Sequence, residues 1–154
     1  MQELPVISEH YLNSLSSKKK LNRIKTTVFD LEFDSPLGVA AGFDKNAELA
    51  PTLQALGFGF LELGSVTNQA SKGNPRPRLF RLPEDEAIIN RLGLNNNGPL
   101  AFAKRLEGYS LNLPVAINIA KTHSEDILGD AAIEDIVSCY KPVSYTHLTL
   151  PTKA

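Results

Sequence analysis

Three short apolar runs, LGVAAG over 37–42, FGFLEL over 58–63 and VAINIA over 115–120, are each followed by a stretch with helical spacing. Runs this short, bounded by turn residues and separated by helix-length segments, read as buried strands of βα units, and such units build a parallel sheet. Asn46 is placed to cap the first helix, in which Leu49, Leu53 and Leu56 share a face, Pro51 lies early and Gly57 is the stop. Gly98-Pro99 opens a second helix with Leu100, Ala103 and Leu106 in line, and Asp130 caps a third expected to run to about Tyr140. Upstream, VFDLEF over 28–33 alternates before Ser35-Pro36 turns the chain. Two architectures fit, the open doubly wound sheet and the closed (β/α)8 barrel. No G-x-G-x-x-G follows the first strand, which weighs against a dinucleotide fold. A barrel takes roughly 250 residues, and a chain of 154 residues has room for about half of one.

Composition narrows the function classes. Net charge is -1, and no apolar run approaches the length of a membrane span. The start, MQELPVISEH, has neither the basic nor the apolar region of a signal peptide, so a reducing, cytoplasmic setting is expected. Cys139 is the single cysteine, and His10, His123 and His147 are far apart, so no metal site is expected. Residues 8–25 look helical and polar, and Lys18, Lys19, Lys20, Arg23 and Lys25 occur with no acidic residue among them. That pattern reads as a solvated helix face, with an anionic membrane surface as the sharper alternative. Without interleaved aromatics it makes no case for nucleic acid as a partner.

In a barrel, ligands gather at the C-terminal ends of the strands. Those ends are Gly42-Phe43-Asp44-Lys45, then Gly64-Ser65-Val66-Thr67, then Asn118 within VAINIA. Alternation puts Val115, Ile117 and Ile119 toward the helices, and Ala116, Asn118 and Ala120 on a small, polar inner face with room for a flat ligand. Taken singly, Gly42 fits a turn, Lys45 a surface position and Ser65 a backbone contact. Asn118 is harder to assign so plainly, because a buried amide needs partners at both ends. Glu62 inside a strand run needs a partner and reads as structural. The loop INRLGLNNNG over 89–98 is dense in amides suited to a planar, carbonyl-rich molecule, while Arg76, Arg78 and Arg81 read as ties for the long connection.

Together SPLGVAAGFDKNAE, GFGFLELGSVT, GNPRPRLFRL, INRLGLNNNG and NIAKTHSEDILGD, collinear over roughly 30–141, resemble the dihydroorotate dehydrogenases of the membrane-associated, quinone-using class. The resemblance implies an α/β fold, a (β/α)8 TIM barrel binding FMN and oxidising dihydroorotate to orotate in pyrimidine synthesis, with quinone as electron acceptor. It implies that Ala41, Gly42, Phe43, Asp44 and Lys45 border the flavin and that Ser65 and Asn118 contact it. It implies further that Lys45, Asn90, Arg91, Leu92, Gly93 and Leu94 face the substrate. Peripheral attachment to the cytoplasmic side of the membrane, through a leading helical segment, belongs to the same expectation.

The sequence also departs from that family. Only 1–27 precede the barrel units at 28–141, so the leading helical segment looks truncated, and Leu94 stands where the family often has phenylalanine. Beyond Lys141 the family continues into a strand of the type Asn-(Ile/Val)-Ser-x-Pro-Asn carrying the catalytic serine. Here the chain reads PVSYTHLTLPTKA, so 142–154 reads as a non-native tail, and neither Ser144 nor any other residue is assigned as the catalytic base. Expressed alone, the chain is therefore expected to be inactive and to lose its flavin. Two other readings remain at this point: another FMN barrel such as a tRNA dihydrouridine synthase, which needs a catalytic cysteine, and a short non-catalytic binding protein.

Overall fold

The apolar runs form one parallel sheet. The computed structural model describes residues 24–147, with side chains through Ser144. Most of the basic 8–25 segment and the final residues of the tail lie outside the described residues. An antiparallel hairpin, β1 (Thr26–Val28) and β2 (Leu31–Phe33), comes first. The sheet follows, in the order β3 (Gly38–Val39), β4 (Phe60–Val66), β7 (Val115–Ile119), all parallel. Helix α1 (Ala50–Ala55) connects β3 to β4, helix α2 (Pro99–Glu107) precedes β7, and helix α3 (Asp130–His147) follows it. Between β4 and α2 the chain builds a second antiparallel hairpin, β5 (Leu79–Leu82) and β6 (Ala87–Asn90), around a 3-10 turn at Pro83–Asp85.

Alternation decides which residues enter the core. Leu61 and Leu63 of β4 are fully buried against Phe102 and Leu106 of α2 and Cys139 and Val143 of α3, with Val115, Ile117 and Ile119 packed on the same side. The opposite face carries Glu62, Ala116 and Asn118. The expected division of β7 into a helix-facing apolar side and a small polar side is what the structure shows. Each Leu or Phe buried in this layer contributes about 1.5–3 kcal/mol relative to exposure.

Several local expectations need correction. Asn46 does not cap α1: the N-cap position is Leu49, with no side-chain cap bond, and Asn46 Oδ1 instead accepts from Asn97 N at 2.9 Å. No side chain caps α1; Asp44 instead fixes the turn that leads into it, its carboxylate accepting from Glu48 N at 2.9 Å and Leu49 N at 2.8 Å. On α2 the buried stripe is Pro99, Phe102, Ala103 and Leu106, and Leu100 faces solvent. Helix α3 begins at Asp130, after Gly129, and continues past Tyr140 through Pro142. Asp135, Cys139 and Val143, four residues apart, are its buried row, and the anchorage of Val143 in the core extends the helix across the proline.

Cys139 is buried, with its thiol directed at the Val66 carbonyl at 3.6 Å. Burial, with Asp135 nearby, pushes its pKa up to about 11. Such a thiol is poorly suited to catalysis, and the cysteine-dependent alternative loses its support. At pH 8 the native chain is expected to react with a thiol reagent more than about a hundredfold slower than the urea-unfolded chain. Equal rates would mean that this helix does not seal the core.

Candidate functional site

The site is assembled where the parallel strands end, and Gly64 organises it. Gly64 N donates to the Asp44 carbonyl at 3.0 Å, and Gly64 O accepts from Gly42 N at 2.7 Å, so the segment after β3 stays laced to β4. The β4–β7 register shifts between Gly64 and Val66, and Gly64 has φ +115°. A bulge at this point reverses the phase of alternation. Continued strictly, the pattern would send Ser65 to the helix side with Leu61 and Leu63. Instead Val66 is the fully buried residue, and Ser65 joins Glu62 and Asn118 on the inner face. No side chain fits at Gly64, because a Cβ would be driven into the Asn118 carbonyl oxygen.

On that face three side chains are joined. Ser65 Oγ donates to Asn118 Oδ1 at 2.5 Å, and Asn118 Nδ2 donates to Glu62 Oε1 at 2.9 Å. The predicted pair Ser65 and Asn118 is thus brought together, and Glu62 has the partner its position required. One amide hydrogen and one oxygen lone pair of Asn118 remain for a ligand, and Ser65, its hydrogen committed, can only accept. Gly42 lies on the same rim at φ +100°, and a Cβ there would meet nothing within 4 Å. Backbone at this position is open to close approach by a planar group.

Ala41 and Lys45 are half-buried, Phe43 is 68% exposed, and Asp44 is buried with its carboxylate spent on the entry to α1. Asp44 therefore offers the rim its backbone and not its charge. Lys45 Nζ makes no hydrogen bond or ion pair among the described residues. Burial, reinforced by the Arg78 guanidinium, holds its pKa below the usual 10.5. A positive charge with a second cation near it favours an anion at its side.

The 90–97 loop is fastened over this rim. Asn96, 4% exposed, accepts at Oδ1 from Thr67 N (3.3 Å) and Gly98 N (2.9 Å), and donates from Nδ2 to Thr67 Oγ1 and the Leu94 carbonyl, both at 2.7 Å. Leu94 sits at φ +51°, held there by that last bond. Asn90, on β6, accepts weakly from Leu92 N at 3.4 Å and is exposed. Arg91 is committed elsewhere: its Nε and Nη2 donate to the Pro77 carbonyl at 3.2 and 3.0 Å, tying the loop to the hairpin. Gly93 and Leu92 are half-buried, and Leu92 closes a groove of about 550 Å³ with Arg76, Pro77, Arg78, Leu79 and Arg81. Arg78 is a tie, as expected, donating to the carbonyls of Lys72 (2.6 Å) and Asn74 (3.2 Å). Beyond β7, Asp135 fixes the next loop by accepting from Thr122 N and Oγ1, both at 2.8 Å. Burial would raise its pKa, but those bonds, Asn68 and the Lys121 charge outweigh burial and hold it below 3.8. Gly64 and Asn96 were not singled out from sequence; a glycine interrupting an apolar strand was the available signal for the first.

Residues 23–148 match the family model for dihydroorotate dehydrogenase. The chain belongs to the dihydroorotate dehydrogenase family. A dihydroorotate dehydrogenase (quinone) of Haloarcula marismortui is 49% identical over 122 residues, covering 79% of this chain and 34% of that protein. One of Agrobacterium fabrum is 50% identical over 124 residues, covering 80% and 34%. A crystal structure of DHODH from Eimeria tenella in complex with ferulenol superposes with a TM-score of 0.70 at 34% identity, covering 91% of this chain and 41% of that one. The fold is accordingly of the α/β, TIM-barrel type. The chain spans about a third of the length of the curated dihydroorotate dehydrogenases it matches. Among the described residues no helix is long and apolar enough to cross a membrane, and no cluster of three metal-ligating side chains occurs.

Proposed function

We propose that the chain forms the first βα units of a (β/α)8 barrel and one wall of the active site of a quinone-dependent dihydroorotate dehydrogenase. The observation that carries this is the hydrogen-bonded Ser65–Asn118 pair on a small inner face, beside the open backbone of Gly42; Lys45, three residues on from Gly42, has an ammonium with no hydrogen bond or ion pair among the described residues. These features fit FMN: a flat ring can approach Gly42, and the remaining donor and acceptors of Asn118 and Ser65 suit its polar atoms. When bound, FMN supplies a two-electron acceptor for oxidation of the dihydroorotate ring and passes the electrons to quinone.

The residues around it bind and orient. Ala41, Gly42, Phe43 and the Asp44 backbone border the cofactor, and Asp44 keeps that segment in place through its bonds to Glu48 N and Leu49 N. Lys45 holds the carboxylate of the substrate and places positive charge beside the reacting ring. Asn90 and the 91–94 segment close over the substrate, with Arg91 acting as an anchor. None of the 154 residues is proposed as the proton-abstracting base. Quinone, and a peripheral membrane contact through the segment before residue 28, complete the set of partners, with no role for nucleic acid.

The test is a titration of the isotope-labelled chain with FMN to millimolar concentration, followed by amide NMR, and a parallel titration with orotate. FMN is expected to shift Gly42, Ser65 and the Asn118 side chain, and orotate to shift Lys45 and 90–94. Shifts confined to other surfaces, or none, would refute the assignment.

A further inference from the structure

Glu62 places a carboxylate on a strand whose other face is sealed in the core, and no cation pairs with it among the described residues. Its hydrogen-bond partner is Asn118, two positions along the neighbouring strand: Glu62 is in register with Ala116, and Gly64 with Asn118. The small Ala116 side chain leaves that diagonal clear.

An amide has two ends of nearly the same shape and opposite hydrogen-bonding sense. Ser65 could serve either end, because a hydroxyl both donates and accepts. Glu62, as a carboxylate, only accepts, so only the nitrogen end of Asn118 can face it. The Ser65 hydroxyl then has the oxygen end before it and donates. Choice of amide orientation therefore originates at Glu62 and is transmitted to Ser65.

We infer that Glu62 is a positioning residue that fixes the orientation of the Asn118 amide and, through it, the donor and acceptor pattern that Asn118 and Ser65 present to the flavin. The inference rests on the flavin reading of this face. Glu62 itself contacts no ligand; removing its charge while keeping its shape removes the choice, because a glutamine amide can present either end to Asn118.

The experiment compares the full chain with its Glu62→Gln variant. In the ligand-free wild type, the Asn118 side-chain NH2 is expected as one pair of resonances with one proton shifted downfield and protected from exchange. In Glu62→Gln, thermal unfolding is expected to match wild type while that protection is lost and the affinity for FMN, read by NMR titration, falls about tenfold. A merely structural role predicts full rescue by glutamine, so unchanged protection and unchanged FMN affinity in this variant would overturn the inference. Freely exchanging Asn118 amide protons in the wild type would overturn it whether or not the variant folds. Wild-type chain that shows the protected amide but no FMN-induced shift on this face even at millimolar FMN would refute the flavin reading, and with it the proposed purpose of the orientation. The amide data separate that result from a failure of Glu62 to orient Asn118.

Discussion

Gly64→Ala is expected to lower the melting temperature of the chain by about 10 °C and to abolish the FMN-induced shifts at Ser65 and Asn118. Two costs add. The backbone at φ +115° is one that alanine adopts only under strain, on the order of 1–3 kcal/mol. The new methyl also meets the Asn118 carbonyl of the neighbouring strand, a backbone atom that cannot swing aside. A combined loss of about 3 kcal/mol corresponds to roughly 10 °C for a domain of this size. Circular dichroism melts with parallel FMN titrations check it. A variant that melts with wild type and binds FMN would show that the register shift at Gly64 is dispensable.

Asn96→Leu is expected to cost about 4 kcal/mol and to free the 90–97 loop. Leucine keeps the branching of asparagine with somewhat greater bulk, and it strands the amides of Thr67 and Gly98 and the carbonyl of Leu94. Buried groups left unpaired cost roughly 1–3 kcal/mol each, with incomplete additivity. Asn96→Asp separates the contributions, since a carboxylate still accepts from Thr67 N and Gly98 N but opposes the Leu94 carbonyl. It should lose roughly half as much stability and still weaken orotate binding, because Leu94 is no longer held at φ +51°. Urea denaturation midpoints and orotate titrations decide. If both variants keep wild-type orotate shifts, the loop is held by something other than Asn96.

The parallel sheet was legible because apolar runs of strand length leave little choice, and the inner face of β7 followed from simple alternation. The hairpins were not. At the β1–β2 turn the positive-φ positions are Phe29 and Asp30, φ 50° and 61°, where a turn usually announces itself with asparagine or glycine. The β5–β6 pair was hidden by the prolines and arginines that flank it. Ser65 was assigned to the site through the family resemblance, since alternation alone would have turned it toward the helices. The expected cap at Asn46 failed for a geometric reason: α1 starts later, with Leu49 at its N-cap, and the turn before it is held by Asp44, whose carboxylate accepts from Glu48 N and Leu49 N.

The register shift at Gly64 also bears on how this strand can be altered or transplanted. Positions 61 and 63 can be varied as a core library, but extending the same every-other-residue scheme to 65 would randomise the inner face that carries Asn118 and Glu62. It would also leave Val66, which seals the core, untouched. A designer grafting residues 60–66 onto a regular strand would bury the serine and expose the valine while preserving every residue. What must be copied is a phase change, and a glycine is its only mark in the sequence.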